Sequence, residues 1–138
     1  MAATTTGYLA GGTIRPSRFV KIGTTDFSCL EADANEITIG ISQEGGREAP
    51  IPSVTTVNAA ESGDSVQVYQ ESEECLLELG GTVAVGGRIK SDADDKGVAV
   101  ATTGTTVQES GAFAAEAGVS GDLIRVRVQN LAIRPALV

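Results

Sequence analysis

Ser120-Gly121-Asp122-Leu123-Ile124-Arg125-Val126-Arg127-Val128-Gln129 is the stretch that decides the fold, because a similar stretch occurs earlier in the chain. The earlier copy reads Ser62-Gly63-Asp64-Ser65-Val66-Gln67-Val68-Tyr69-Gln70. In both copies a Gly-Asp turn opens a run in which apolar residues occupy every second position. That period is typical of a β-strand with one buried face. The sequence therefore predicts two equivalent strands.

Two further pairs of similar segments precede these strands, in the same order in both halves. Residues 18–22 (RFVKI) resemble residues 87–91 (GRIKS), and residues 41–46 (ISQEGG) resemble residues 107–112 (VQESGA). Self-similarity in a fixed order indicates repetition of one structural unit. We therefore expect an internal duplication, with repeat halves at about 18–79 and 80–130.

The composition favours an all-β protein. The chain has 138 residues, of which 41% are hydrophobic and only 4% aromatic, with 17 glycines and no tryptophan. A core built mainly from Val, Ile, Leu and Ala suits pleated sheets, and the many glycines suit frequent turns. No stretch sustains a helical period. These features predict a compact small β-barrel or sandwich with short helical turns at most.

The chain divides into three predicted parts. Residues 1–17 are rich in Thr and Gly, so they should form a flexible N-terminal arm that orders on a partner. Residues 18–130 form the β domain, and residues 131–138 form an apolar C-terminal tail. The arm's candidate anchors for a partner are its bulky apolar residues, Tyr8, Leu9 and Ile14.

The charge balance excludes several kinds of partner. Asp and Glu number 18 against 10 Lys and Arg, giving a net charge of -8. Nucleic acid and anionic membrane surfaces both attract clustered cations, so neither is an expected partner. The N-terminus has neither the basic nor the apolar region of a signal peptide. We therefore expect synthesis in a cytoplasm.

The sequence contains no constellation for catalysis, metal binding or cofactor binding. Without histidine, Ser-His-Asp and Cys-His arrangements are impossible. Residues 92–97 (DADDKG) contain an acidic run, but Lys96 stands where a calcium loop needs an oxygen ligand. We expect a solvated turn there. Buried free thiols are the favoured interpretation of Cys29 and Cys75, and their pairing is left open.

Binding is the role that these exclusions leave. Arg125 and Arg127 alternate with apolar residues, so both arginines should lie on one face of the last strand. Such a pair could meet carboxylates across a subunit boundary or lie exposed to solvent. Leu131 and Ile133 begin the apolar tail, which should pack on its own domain, a second subunit or a larger partner.

The order of these features resembles a known family. It runs from a Gly-Asp strand through double glycines, residues 87–92 (GRIKSD), residues 97–99 (GVA) and the Ala-rich residues 113–117 (FAAEA) to the second Gly-Asp strand. Together with residues 17–21 (SRFVK) and 39–42 (IGIS), this resembles the decoration, or cement, proteins that stabilise the heads of tailed bacteriophages.

The resemblance implies a β fold that trimerises on the outer face of a phage head and has no catalytic residues. Such trimers lie at three-fold and quasi-three-fold junctions and bridge major capsid proteins. It therefore implies a structural protein located in the virion. Alternatives are a head-fibre, tail or baseplate β module, a trimeric all-β nucleotide hydrolase using Asp92, Asp94 and Arg88, and a co-chaperonin-like barrel whose mobile loop lies within residues 45–60.

Overall fold

The structure is a computed structural model that describes residues 6–44, 58–101 and 106–133. Within these ranges every regular element is a β-strand, so the all-β prediction is confirmed. No helix among the described residues is long and apolar enough to cross a membrane. The strands are β1 Thr6–Ala10, β2 Phe19–Ile22, β3 Ser28–Glu31, β4 Gly40–Ser42, β5 Ser65–Tyr69, β6 Glu74–Glu78, β7 Arg88–Ser91, β8 Gly97–Ala99, β9 Gln108–Ala114 and β10 Leu123–Ile133.

The strands form two consecutive units. The first is a closed barrel in the order β1-β3-β2-β4-β5, in which β1 also pairs with β5. The second is a five-stranded sheet in the order β6-β10-β9-β7-β8. In the first unit only β1 and β3 run parallel, and the outer strands of the second unit meet at a parallel bridge between Leu79 and Gly97.

The two units have the same topology and the same register. Replacing β1–β5 with β6–β10 in chain order turns the closed order β1-β3-β2-β4-β5 into β6-β8-β7-β9-β10. Read from β6 in the opposite direction, this is the strand order of the second sheet. Tyr8 pairs with Val66 in the first unit as Leu77 pairs with Ile124 in the second. The pairing of β2 with β3 likewise matches that of β7 with β8 residue for residue. The predicted internal duplication is therefore present in the fold.

The two Gly-Asp turns are equivalent in detail. Gly63 has φ 88° and Gly121 has φ 92°, a left-handed conformation that favours glycine. Asp64 Oδ2 accepts a hydrogen bond from the backbone N–H of the residue three positions earlier at 3.0 Å, and Asp122 Oδ2 does so at 2.9 Å. Each turn therefore orients the strand that follows it, as the sequence predicted.

The boundaries of the repeats differ from those predicted. The first repeat begins at β1, and the second begins at β6, which the sequence placed in the first half. Residues 6–17 therefore belong to the barrel and are not an arm, because β1 hydrogen-bonds to both β3 and β5. Residues 1–5 lie outside the described part of the chain.

The similarity of residues 41–46 to 107–112 is out of register and was misleading. Ile41 pairs with Phe19 in the first repeat, and Phe113 pairs with Arg88 in the second. Because Phe19 and Arg88 are equivalent, Ile41 corresponds to Phe113. β4 begins at Gly40, so Ile37 lies outside the strand and is 71% exposed.

Each unit buries an equivalent set of side chains. The interior of the first contains Val20 and Val66, and that of the second contains Ile89 and Ile124 at the same positions. The larger residues of the second unit are offset by glycine, since a Cβ on Gly118 would lie 2.6 Å from Ile124 Cγ2. At this position, a larger residue on one strand is matched by a smaller one on its neighbour.

The two units share one apolar contact. Phe19 and Ile41 lie outside the first barrel, and both are fully buried in the core cluster of the second unit. Gly111 makes the contact possible, because a Cβ there would lie 2.7 Å from Phe19 Cε1. The duplicated units are therefore packed together through a close approach of backbone to ring.

Three local predictions also have outcomes. Cys29 and Cys75 are buried free thiols in different core clusters, as favoured. β10 extends to Ile133 and pairs with Gln108, so the predicted tail starts as strand, and residues 134–138 lie outside the described residues. Of the loop proposed within residues 45–60, residues 45–57 are likewise outside, and Ala60 is buried in the first barrel.

Candidate interaction surface

A row of four side chains crosses the outer face of the second sheet. Arg88 in β7 pairs with Phe113 in β9, Phe113 pairs with Arg127 in β10, and Arg127 pairs with Glu74 in β6. Directly paired residues on neighbouring strands have side chains on the same face. Three strand pairings therefore assemble residues that are far apart in sequence into one surface, here called the arginine face.

The Arg88 side chain is held in place by several contacts. Its guanidinium carbon lies 5.7 Å from the centroid of the Phe113 ring, within the range of a cation–π interaction. The guanidinium also donates to Ser110 Oγ at 3.1 Å, to Gln129 Oε1 at 2.6 Å and to the Gln129 carbonyl at 2.9 Å. The ring and the guanidinium thus form a fixed, half-buried platform.

Arg127 lies at the more exposed end of the arginine face. It forms an ion pair with Glu74 at 3.1 Å, with both side chains about half exposed, at 48% and 49%. Arg125 is also exposed, whereas Ile124 and Val126 are buried, so the predicted separation of the two faces of β10 is confirmed. An exposed ion pair of this kind adds little stability and leaves the guanidinium available to a second carboxylate.

The equivalent row of the first repeat is covered. Arg88, Phe113 and Arg127 correspond in register to Phe19, Ile41 and Tyr69. The latter three residues pack into the core cluster shared with the second unit. The same face of the fold is therefore an interface in the first repeat and free in the second. The sequence indicates this difference in burial. When Phe19 is aligned with Arg88, an apolar residue in the first copy stands at the position of a charged residue in the second.

An apolar groove lies on the first repeat. It has a volume of about 400 Å³ and is lined by Lys21, Ile22, Glu36, Ile37 and Ile39. Ile22 is 59% exposed, and Lys21 forms an ion pair with Glu36 at 2.8 Å. These residues, here called the isoleucine groove, are not among the candidate site residues selected from the sequence.

The residues predicted as arm anchors have three different environments. Ile14 is fully buried in the first barrel, so it cannot contact a partner as predicted. Tyr8 is half-buried, and its hydroxyl accepts a hydrogen bond from Gln70 Nε2 at 2.7 Å. Leu9 is 50% exposed beside Phe27, which is 80% exposed, at the edge of a cleft of about 340 Å³. Only Leu9 stays a candidate for outward contact.

The predicted tail residues lie on the extension of β10. Leu131 is 51% exposed opposite Ser110, and Ile133 is half-buried opposite Gln108. A shift in register between Val128 and Leu131 separates this extension from the arginine face. The structure therefore does not bring the tail residues, the arginine face and the Leu9 edge into one site.

A partly buried ionic cluster links the two repeats. Arg15 binds Glu31 at 3.0 Å and Asp95 at 2.9 Å, and Asp95 is only 3% exposed. Burial raises the pKa of Asp95, and its hydrogen bond to Glu31 raises it further, against the pull of Arg15. Burial opposes ionisation of Glu31, but hydrogen bonds from Arg15 and Asp95 outweigh it and lower that pKa.

This cluster serves to join the repeats. The Asp95 carbonyl also accepts a hydrogen bond from the Phe19 backbone N–H at 3.0 Å, beside the apolar contact. Perturbed carboxyls can mark catalytic sites, but structural ion-pair networks perturb them as well. Here every partner belongs to the interface between the two units, so the network is structural.

The acidic turn at residues 92–97 is occupied by its own hydrogen bonds. Asp92 Oδ1 accepts from the backbone N–H of Asp94 at 2.8 Å and of Lys96 at 3.0 Å. The described residues contain no group of three or more Cys, Asp or Glu side chains able to hold a metal ion. Arg88 lies on the arginine face and has none of these carboxylates as a hydrogen-bond partner.

The fold consists of two tandem five-stranded units of the same topology, which are joined through an apolar contact. This arrangement defines the class of fold. Among solved structures, the chain is similar to the N base of the head fiber gp8.5 of bacteriophage phi29, with a TM-score of 0.62. The alignment covers 96% of this chain and 99% of that chain at 14% identity. The similarity is therefore one of fold over the whole length. No protein-family model and no curated protein matches the sequence.

Proposed function

We infer that the chain is a structural protein of a phage particle, attached to the head. The observation that supports this role is the shared fold over 96% of the chain with the base of a phage head fibre. The sequence resemblance to phage decoration proteins is independent of that comparison and has the same implication. The proposed role is one of binding, without catalysis or cofactors.

In its finer form, the proposal is a trimer on the outer surface of the head that bridges major capsid proteins at three-fold and quasi-three-fold junctions. A shell under internal pressure gains strength when one part binds several subunits, because each further contact is intramolecular. The acidic surface, with a net charge of -8, keeps free copies soluble before assembly.

The base of a head fibre is the second candidate, and the fold similarity favours it directly. Copy number separates the two roles. A cement protein should be present at all junctions of the lattice, whereas a fibre base should be present only where a fibre is attached. Quantitative mass spectrometry of purified particles gives copies per head. Protein that is absent from purified particles would contradict both roles.

Binding to heads tests the proposal directly. Purified protein should co-sediment with heads that lack it and raise their resistance to heat or chelation. Heads that neither bind the protein nor gain resistance would refute the cement role. A nucleotide hydrolase is the competing class, and isothermal calorimetry with nucleoside triphosphates and Mg²⁺ should show no binding.

The exposed pair at the edge of the first barrel is the proposed contact with the capsid. The Leu9 backbone N–H donates to the Phe27 carbonyl at 2.7 Å, which keeps the two residues adjacent at this edge. Phe27 has φ 56°, a conformation that asparagine tolerates well, so Phe27→Asn removes the apolar ring without straining the backbone. This variant should bind heads at least tenfold more weakly. Val119→Asn, at a position 54% exposed on the second repeat, is the control and should bind normally.

A further inference from the structure

The arginine face and the isoleucine groove occupy related places in the two repeats. Within the chain, the row Phe19, Ile41 and Tyr69 of the first repeat packs on the second repeat. On this receiving surface, Gly111 receives the Phe19 ring, and Ser91 and Glu109 on the same two strands, β7 and β9, bind the segment that follows β3. Ser91 Oγ donates to the Asp33 carbonyl at 2.6 Å, and the backbone N–H of Glu109 donates to Asn35 Oδ1 at 2.8 Å.

The receiving surface has an equivalent in the first repeat. In register, Ser91 corresponds to Ile22, because Ser91 pairs with Gly97 as Ile22 pairs with Cys29. The residues of the second strand are aligned through equivalent lysine contacts. Lys21 binds Glu36 in the first repeat, and Lys90 binds Gln108 in the second, so Glu36 corresponds to Gln108. Glu109 and Gly111 then correspond to two isoleucines of the groove, Ile37 and Ile39.

Each chain therefore has two rows and two receiving surfaces, and one row contacts one receiving surface within the chain. The row of the first repeat fills the receiving surface of the second. Within the described part of the chain, neither repeat packs on the row of the second repeat, which is the arginine face, or on the receiving surface of the first, which is the isoleucine groove. We propose that the arginine face of one copy binds the isoleucine groove of another copy, so that the contact within the chain recurs, with changed residues, between chains.

The residue changes on the two surfaces are complementary in shape. Inside the chain, Phe19 projects toward Gly111, where a Cβ would lie only 2.7 Å from its ring. Between chains, Ile39 projects in place of that glycine. The opposing residue is Arg88, whose guanidinium lies over the Phe113 ring. In the proposed contact, Ile39 therefore takes the place of Gly111, and the guanidinium takes the place of the Phe19 ring.

The charges are complementary as well. The arginine face contains Arg88 and Arg127, with Arg125 exposed beside them on β10, and the carboxylate of Glu74 is paired with Arg127. At the groove, the single cation Lys21 lies near two carboxylates, those of Asp33 at 3.8 Å and Glu36 at 2.8 Å. Opposite charge on the rims of an apolar contact favours this orientation over face-to-face pairing of two arginine faces.

A contact between two different surfaces is heterologous, so it closes into a ring or extends into a filament. A closed ring of three copies would supply the proposed trimer, and in that respect the inference rests on the proposed function. Self-association can nevertheless be measured on the purified chain without phage heads.

The test uses two variants, each of which damages one surface. Ile37→Asp places a carboxylate in the groove at a side chain that is 71% exposed, and Arg127→Glu reverses a charge on the arginine face at one that is about half exposed. Val119→Asp, at an exposed position outside both surfaces, is the matched control. Wild type and control should associate with rising concentration in sedimentation velocity, and each variant alone should associate at least tenfold more weakly. Unfolding midpoints equal to wild type establish that the variants are folded.

Mixing the two variants gives the decisive result. The Ile37→Asp chain retains an intact arginine face and the Arg127→Glu chain retains an intact groove, so an equimolar mixture should form a one-to-one dimer and nothing larger. A mixture that stays monomeric, variants that associate like wild type, or a monomeric wild type would each overturn the inference. Head binding by a monomeric wild type would refute this contact and leave the proposed function standing. Self-association without head binding would support this contact and refute the proposed function.

Discussion

Removing the ring of Phe19 tests the fusion of the two repeats. This side chain is fully buried between the units, so Phe19→Ala should lower the free energy of unfolding by about 3–5 kcal/mol, the usual cost of deleting a buried ring. Phe27→Ala is the matched control. Because Phe27 is 80% exposed, the same substitution there should change the free energy by no more than about 0.5 kcal/mol.

Gly111 supplies the second half of the test. A Cβ at this position would lie 2.4 Å from Thr38 Oγ1 and 2.7 Å from Phe19 Cε1, so Gly111→Ala must displace one of them. Such overpacking typically costs about 1–3 kcal/mol. In the double variant with Phe19→Ala, the new methyl group enters the space that the ring vacates. The combined loss should therefore be smaller than the sum of the single losses by about 1 kcal/mol or more.

Urea unfolding measures these free energies. Far-UV circular dichroism follows the sheets, and tyrosine fluorescence is usable because the chain has no tryptophan. Tyr69 packs against the shared core, so its signal reports on the interface between the repeats. Strictly additive losses, or a loss for Phe19→Ala no greater than that for Phe27→Ala, would refute the assignment of this contact as the main join between the units.

Three further predictions concern the interior. Because burial raises the pKa of Asp95 above its ordinary 3.8, the folded chain keeps a proton that the unfolded chain releases. The free energy of unfolding should therefore fall as the pH rises from that ordinary value toward the raised pKa of about 8, and Asp95→Asn should flatten this slope in urea midpoints; parallel slopes would contradict the assignment. Gly118→Ala should cost about 1–3 kcal/mol, and adding Ile124→Val should recover part of it, since the two changes install the pair found in the first repeat; no recovery in thermal melts would count against the volume argument. Burial raises the pKa of Cys29 to about 11 and of Cys75 to about 12, so neither thiol should react with a disulfide reagent at neutral pH until urea unfolds the chain, and rapid labelling of the native protein would show that these strands open.

The sequence predicted the features that depend on local pattern. The Gly-Asp turns were recognisable because a left-handed glycine and a carboxylate that accepts a backbone hydrogen bond leave a signature within four residues. The alternation around Arg125 and Arg127 likewise assigned both side chains to one face of a strand. Two buried cysteines and an all-β fold in the described ranges followed from composition and period.

Features that depend on pairing between distant strands were missed. The sequence assigned residues 1–17 to an arm because they contain few large apolar residues, although β1 is held by backbone hydrogen bonds that any residue type supplies. It paired residues 41–46 with 107–112 because their letters match, although the ladders align Ile41 with Phe113. A short match of common residues is weaker evidence that two segments are equivalent than the register of their strand pairing.

The sequence by itself determined that this chain folds as duplicated β units, because turn chemistry and alternation are written in consecutive residues. Only the tertiary structure decided which copy of the duplicated face is buried and which is free. Phe19 and Arg88 occupy the same place in two identical topologies, and only packing of one unit on the other covers the first and exposes the second. The physical reason is that burial is a property of contacts between units, which no local period encodes.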